Sequence, residues 1–508
     1  MEIKEETFKG FIFITIAQFF GNISNLLIQY LLIILYSPKE YAYFSFAMTF
    51  YAFFFIFANF GLGTAIIQFL SSLKDENSGE FVKLISEGFK LVFLFTMIFS
   101  LILFFISDLI EQIYKMSGLS ILLKYTSIYL FFSNLINYFE CTFRGFKIFK
   151  NYSISSVTLN FLKLIIVSLN FIVKSPIYFI LVQYSIVSFI QFIIILIIQI
   201  KSKNLSSFFK FNIKETEKLL TFSVFEFLSL LLSFLSTGFN QFILAYYIDP
   251  VELAYYIITL MAIQTLALPM LILGLLFHPY VSYYMQREGV ERKNVALIYN
   301  LLFKYGLLIM IPLTFYVFFF SEVLIVFFFS FRYYPVSIYI RVVIFYLNLL
   351  VIEATGNIFL LASNNQKTIF KLTALNALFC LILSIILIPI YYIYGAILSF
   401  IIPRSINIIL KGYLAKKKNN INLESYVIFS ILKYIISSII SIFFLFIIIF
   451  ILDINLYNFF FLILFSGIYF GVFFALIILF QAISIVEIKD FLKVLKSSIF
   501  IRNKFNVN

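Results

Sequence analysis

The chain has no tryptophan, one histidine and two cysteines in 508 residues, and only 12% of its residues are charged. Each shortage excludes something. Soluble proteins carry about 25% charged residues, so this chain cannot clothe a water-facing surface of ordinary composition. One histidine and two distant cysteines, Cys141 and Cys380, give no Cys/His metal spacing and no disulfide framework. Both cysteines fall in or at the end of apolar stretches, where a thiol packs as a small hydrophobe. No P-loop and no nucleophile elbow occurs, so neither nucleotide hydrolysis nor acyl-enzyme chemistry is expected. His278, beside Pro279, is a lone histidine and defines no proton relay. Without tryptophan, the 34 tyrosines must supply any aromatic belt at a membrane interface.

What is present is hydrophobic: 63% of the chain, with 72 phenylalanines and runs such as LVFLFTMIFSLILFFI from Leu91 to Ile106. Apolar stretches of about 20 residues recur throughout, the signature of membrane-spanning helices. The first, from Gly10 to about Leu35, is too long for a signal-peptide core and reads as an uncleaved helix. Charge, proline and asparagine divide the whole chain into fourteen spans. Among them are spans 2 (40–70), 7 (219–247), 8 (252–284) and 10 (335–362). IPIYYIYG, at Ile390, separates spans 11 (367–390) and 12 (391–412) with almost no loop.

The basic residues fit that count. With the amino terminus inside, 28 of the 37 lysines and arginines fall at cytoplasmic loops and span ends and only 5 at outer ones. A miscounted span would invert every later loop and spoil this alternation. Both termini are therefore expected in the cytoplasm. The net charge of +13 is explained by topology and by contact with anionic lipid, and no nucleic-acid partner is expected.

A heptad recurs. SPKEYAY (Ser37–Tyr43) and DPVELAY (Asp249–Tyr255) stand 212 residues apart. Ser37 or Asp249 suits a helix cap, proline the first helical position, and Glu40 or Glu252 the acid that reaches back to the cap. Two helices starting at an interface could converge on this pattern independently. Context favours duplication, because six spans separate the copies and both lead into a long apolar run. Repeats of parallel topology are a transporter architecture. The expected fold is an all-α polytopic membrane protein. Its parts are an N-terminal lobe of six helices (1–210), a C-terminal lobe of six (211–415), and two further helices with a basic tail (416–508).

Several stretches resemble the polysaccharide flippases of the multidrug/oligosaccharidyl-lipid/polysaccharide exporter superfamily. FANFGLGTAIIQFLSS (Phe57–Ser72) is similar to that family's Gly-x-Gly-Thr turn near the end of its second helix. CTFRGFKIFKNYSISS (Cys141–Ser156) resembles its Arg-Gly turn between helices 4 and 5, and FRYYPVSIYIRVVIF (Phe331–Phe345) its entry to helix 10. The segment from Gly356 to Ile397 resembles its helix 10–12 region most strongly, with Gly-Asn, a polar turn with lysine, an asparagine-bearing helix, Ile-Pro and Gly-Ala. The resemblance implies a non-enzymatic flippase in the cytoplasmic membrane. It would move a polyprenyl phosphate- or diphosphate-linked oligosaccharide to the outer leaflet by alternating access. No cofactor is implied beyond H+ or Na+ coupling. The implied partners are that lipid-linked substrate, membrane lipids, and a glycan polymerase or ligase. The alternatives are an ion-coupled multidrug or small-molecule exporter, a lipid II flippase of the same superfamily, and a membrane-embedded polymerase. The last is disfavoured by short outer loops. The lipid II branch places cations in helices 1, 2 and 8, where this chain has amides.

A charged sugar lipid needs hydrogen-bond partners and positive charge in a wet cavity, because an isolated anion in a low-dielectric interior is costly. Lys163 is the most central cation. Ser156, Asn160, Lys163 and Asn170 share one helical face, which serves either as a phosphate or sugar contact or as an inter-helix seam with Lys163 paired to a carboxylate. Arg341, sharing a face with Asn348, either reads phosphate or snorkels to the outer interface. Arg404 and Lys433 lie nearer the inner surface. Asn22, Asn25, Asn59, Asn134, Asn137 and Gln264 are amides suited to carbohydrate, though each alone is commonly helix–helix glue. Glu140, Glu226 and Glu353 are candidate coupling acids or structural partners for Arg404, Lys163 or Arg144.

Overall fold

The computed structural model describes residues 2–72, 79–203, 213–286, 292–363, 365–452 and 459–482. The connection at 204–212, the basic tail from residue 483 onward and the side chain of His278 lie outside the described residues, so the expectations resting on them have no structural counterpart. The described elements are α1 (Glu2–Leu35), α2 (Pro38–Asn59), α3 (Leu62–Ser72), α4 (Gly79–Tyr114), α5 (Leu119–Gly145), α6 (Phe149–Val173), α7 (Ile177–Lys203), α8 (Ile213–Thr237), α9 (Phe239–Tyr247) and α10 (Pro250–Leu266). They continue with α11 (Leu268–Gln286), α12 (Arg292–Phe329), α13 (Val336–Val343), α14 (Leu349–Ala362), α15 (Gln366–Asn419), α16 (Ser425–Leu452) and α17 (Phe459–Leu479). No strand occurs among the described residues. Among the described residues thirteen stretches are long and apolar enough to cross a bilayer, and the protein is a multi-pass membrane protein.

The count of thirteen and the expected fourteen are reconciled within α15. At 1.5 Å per residue its 54 residues would run about 80 Å if straight, over twice the hydrocarbon thickness. Tyr392, with φ 49° and ψ −120°, is not helical, and there the chain reverses. A Cβ on Gly395 would stand 2.9 Å from Ile388 Cα, a separation that no straight helix gives to residues seven apart. Asn240 accepts from Ser384 Oγ (2.5 Å) and donates to Ala396 O (3.2 Å) and Ser399 Oγ (3.1 Å), bridging both arms. At the open end, Lys418 Nζ reaches Asn365 Oδ1 (2.5 Å) and Thr368 Oγ1 (2.6 Å). α15 is thus a helical hairpin whose arms are spans 11 and 12.

Four spans bend. Span 2 parts into α2 and α3 at Phe60 and Gly61, both left-handed (φ 48° and 73°). Gly61 suits this place twice over: its φ disfavours a side chain, and a Cβ would meet Ser223 O at 2.6 Å. Span 7 bends at Gly238 and span 8 at Ala267. Span 10, entered through a 3-10 turn at Phe331–Tyr333, is split by a second one, Ile344–Asn348, into α13 and α14. An apolar medium punishes unpaired backbone groups, and the ladder runs on through the bends. Phe60 N donates to Ile56 O (2.9 Å), Gly238 N to Phe234 O (2.7 Å) and Ala267 N to Ile263 O (3.0 Å).

The two heptads begin their helices in the same register. Ser37 forms the full capping box with Glu40: Ser37 N donates to Glu40 Oε2 (3.0 Å) and Glu40 N to Ser37 Oγ (3.3 Å). The first backbone bond is equivalent in both copies, Tyr41 N to Ser37 O at 2.9 Å and Leu253 N to Asp249 O at 3.0 Å. Tyr41 and Ala42, like Leu253 and Ala254, are fully buried.

Packing divides the chain into two compact units, residues 1–257 with 373–400, and residues 258–372 with 401–508. This partition follows contacts rather than internal symmetry, because α3 packs on α8, and Asn240 of α9 binds α15. In the first unit, α5 is central, packed by α2, α3, α4 and α7, while α1 lies along α6. In the second, α12 is the spine. α16 and α17 pack on it, with Tyr469 Oη donating to Pro312 O (2.9 Å) and Tyr316 Oη bonded to Ser466 Oγ (2.6 Å).

Candidate functional site

The first unit gathers polar groups where four of its helices meet. Lys163, on α6, donates to Tyr129 Oη of α5 at 2.6 Å, and its Nζ lies 5.5 Å from the centre of the Tyr184 ring of α7. Tyr129 stacks on Tyr51 of α2 (4.9 Å between centres), and Tyr51 Oη bonds Ser133 Oγ at 3.0 Å. Lys163 is half-buried. Among the described residues no carboxylate lies within ion-pair distance of it, so the expected seam with a paired acid is not what holds it. Its direct partners are a phenol oxygen and aromatic faces, and the Glu140 carboxylate acts on it electrostatically from beyond ion-pair distance.

Glu140, on the same helix as Tyr129, accepts from Ser155 Oγ at 2.7 Å, and Gln191 Nε2 donates to Ser155 Oγ and Ser155 O, both at 2.9 Å. That chain ties α5, α6 and α7 together. Arg144, one turn on from Glu140, donates instead to Cys141 Sγ (3.0 Å) and lies over the Tyr152 ring. Three charged groups therefore share this region: each makes its direct bond to a neutral partner, while Glu140 acts electrostatically on both Arg144 and Lys163. Glu226 accepts from Thr64 Oγ1 at 3.3 Å, beside the Gly61 bend.

The amides sort into two groups. Asn59 and Asn134 are buried and bonded to each other, Nδ2 to Oδ1 at 3.1 Å, and Asn134 Nδ2 continues to Thr96 Oγ1 at 2.7 Å. They join α2, α5 and α4 as glue, out of reach of a solute in this conformation. Asn160 bonds back to Ser156 O at 2.9 Å, and Asn137 is half-buried near Gly63. Asn22 and Asn25, by contrast, are exposed on α1. The packed face of that helix is Ala17, Ser24, Ile28 and Leu32, and the two amides lie off it. Gln264, in the second unit, is exposed as well.

The second unit holds its charges differently. Arg341 Nη2 pairs with Glu322 Oε1 at 2.9 Å, and Arg341 Nε donates to Ser321 Oγ at 2.8 Å and Phe318 O at 3.3 Å. Asn348 Nδ2 donates to Thr314 Oγ1 at 3.1 Å, while its Oδ1 is buried without a partner. Lys411 pairs with Glu353 at 3.5 Å. The sequence reading offered Arg404, Lys163 and Arg144 as partners for the acids, and it missed Lys411, Glu322 and the tyrosines around Lys163. A lysine at the inner end of a span and one phenol among 34 carry no local signal of their pairing.

The sequence model of a family described as polysaccharide biosynthesis protein matches residues 31–338, more than half of the chain. The chain belongs to that family. No curated protein matches the chain. Among solved structures it is similar to the lipid II flippase MurJ in an inward closed conformation, with 23% identity, a TM-score of 0.70, and coverage of 92% of this chain and 98% of MurJ. It is similar also to an inward-facing MATE multidrug resistance transporter of the MOP superfamily, with 12% identity, TM-score 0.62, and coverage of 79% and 94%. A third is a point mutant of the Vibrio cholerae MATE transporter VcmN, with 15% identity, TM-score 0.57, and coverage of 82% and 98%. These likenesses establish the fold: that of the MOP superfamily transporters.

Proposed function

We propose that the protein is a flippase that carries a polyprenyl phosphate- or diphosphate-linked oligosaccharide across the cytoplasmic membrane for surface-glycan assembly. The observation that carries this reading is the pairing of a polysaccharide biosynthesis family with a transporter fold. Lys163 supplies positive charge to the phosphate, and the exposed amides Asn22, Asn25 and Gln264 supply hydrogen bonds to sugar. The basic loops face the cytoplasm, by the positive-inside rule. Glu140 and Glu226 are the acids at which a coupling proton or Na+ would load, since Glu353 already pairs with Lys411.

The lipid II reading shares this fold. A multidrug exporter is the weaker reading, because the MATE structures leave about a fifth of the chain unmatched whereas MurJ spans 92% of it. The deciding experiment is deletion in the native cell, followed by leaflet-resolved labelling of lipid-linked oligosaccharide. Accumulation facing the cytoplasm is expected. A wild-type distribution across the leaflets overturns the proposal, and accumulation of lipid II instead selects the alternative substrate.

A further inference from the structure

The second arm of the α15 hairpin ends in Lys416, Lys417, Lys418 and Asn419. Asn420 turns the chain with φ 52°, and two backbone bonds close the end, Ile421 N to Lys416 O at 3.1 Å and Asn420 N to Lys417 O at 3.4 Å. Those bonds occupy two of the carbonyls that would otherwise give the helix a negative pole. Ile421 is buried, and the returning chain is fixed to α12. Asn300 Nδ2 donates to Asn422 O (3.3 Å), and Glu424 N to Asn300 Oδ1 (3.0 Å). Between the helix end and the returning chain lies a cavity of about 270 Å³, lined by Tyr413, Lys416, Lys417, Asn420, Ile421 and Asn422.

Lys416 and Lys417 are exposed, and neither side-chain ammonium has a hydrogen-bond or ion-pair partner among the described residues. Lys418 is held by Asn365 and Thr368, both neutral, so its charge remains uncompensated. The nearest acid in sequence, Glu424, does not line the cavity. The volume falls below the roughly 300–1,000 Å³ of sites for drug-sized ligands, so it suits a headgroup and not a glycan chain. Depth points the same way. From Ile393 to Lys416 the arm rises about 35 Å, past the hydrocarbon and into the headgroup layer opposite the hairpin turn. Tyr413, exposed beside the lysines, suits that interfacial level.

We propose that this pocket binds the phosphate of an anionic membrane lipid, with Lys416 and Lys417 as counter-charges and Asn420 and Asn422 as hydrogen-bond donors. The inference stands apart from the flippase reading, since it needs only the pocket and a bilayer.

The test uses the full chain in nanodiscs of four parts phosphatidylcholine to one part phosphatidylglycerol, and in a second set in which a polyprenyl phosphate replaces the phosphatidylglycerol. After a brief delipidating wash, retained lipids are counted by mass spectrometry. The wild type should enrich one of the anionic lipids over phosphatidylcholine, and which one identifies the source. Lys416→Gln with Lys417→Gln should lower that enrichment about tenfold, whereas Lys416→Arg with Lys417→Arg should keep it. An unchanged thermal midpoint shows that the glutamine variant is folded. A third arm adds inorganic phosphate in detergent and follows the midpoint. The proposal is overturned by equal enrichment in wild type and glutamine variant, by no enrichment in the wild type, or by a response confined to inorganic phosphate.

Discussion

Lys163 and Arg341 are both cations set within apolar helices, one in each compact unit, and the chain treats them oppositely. Arg341 meets a carboxylate at 2.9 Å and two further acceptors, so its charge is answered locally. Lys163 meets a phenol at 2.6 Å and an aromatic face. A guanidinium already committed to Glu322 offers little to a passing phosphate. An ammonium whose direct partner is a neutral oxygen, with Glu140 acting on it only from a distance, keeps more of its attraction than a paired guanidinium. The comparison makes the first unit the place to test the proposed anion recognition and the second the place to test an architectural role, although sequence alone ranked the two residues together.

The sharpest way to break that assignment is Lys163→Ala. Losing a charge that meets a buried anion costs about 2–5 kcal/mol, so transport of a polyprenyl diphosphate sugar into the lumen of inverted vesicles should fall about thirtyfold or more. The protein should still fold, since Glu140 keeps its bond from Ser155 and the nearby charge of Arg144. Full transport by this variant would leave Lys163 a structural residue.

Arg341→Ala should behave as the removal of half of an ion pair. It leaves Glu322 unanswered and should destabilise by about 1–3 kcal/mol, read from thermal unfolding in detergent. Adding Glu322→Gln should restore most of that loss and most of the transport with it. If the double variant folds as well as wild type yet transports nothing, Arg341 touches substrate and the contrast between the units disappears. Tyr129→Phe is a milder probe of the first unit. It removes one hydrogen bond to Lys163, worth about 1 kcal/mol, and should slow transport about fivefold with little change in stability.

These assignments mark where sequence reasoning stopped. The fourteen crossings were legible because apolar length and lysine placement are read residue by residue, and even the near-loopless join at Ile390 survives as the Tyr392 reversal. The heptad was legible because capping is local chemistry, and Ser37 with Glu40 shows it. The bends within spans 7, 8 and 10 were not. Gly238, Ala267 and the 3-10 turn at Ile344 sit in runs whose apolar period continues unbroken, and tertiary packing selects them. Pairings were the least legible. Nothing within a few residues of Arg341 announces Glu322, nor does Lys163 announce Tyr129, because each partner stands on another helix.

The amides between helices give the smallest effect and a last test of the contrast. Asn134 serves two partners, Asn59 and Thr96, across three helices of the first unit, whereas Asn348 donates across helices only to Thr314 and leaves its own carbonyl oxygen unpartnered. Inter-helix hydrogen bonds in membranes average about 0.6 kcal/mol each. Asn134→Ala should therefore cost roughly twice what Asn348→Ala does, visible as a larger drop in the thermal midpoint. Replacing Asn348 also removes an unsatisfied acceptor, which narrows its cost further. If Asn348→Ala proves the more damaging, and damages transport more than stability, its free oxygen is a substrate contact, and recognition extends into the second unit after all.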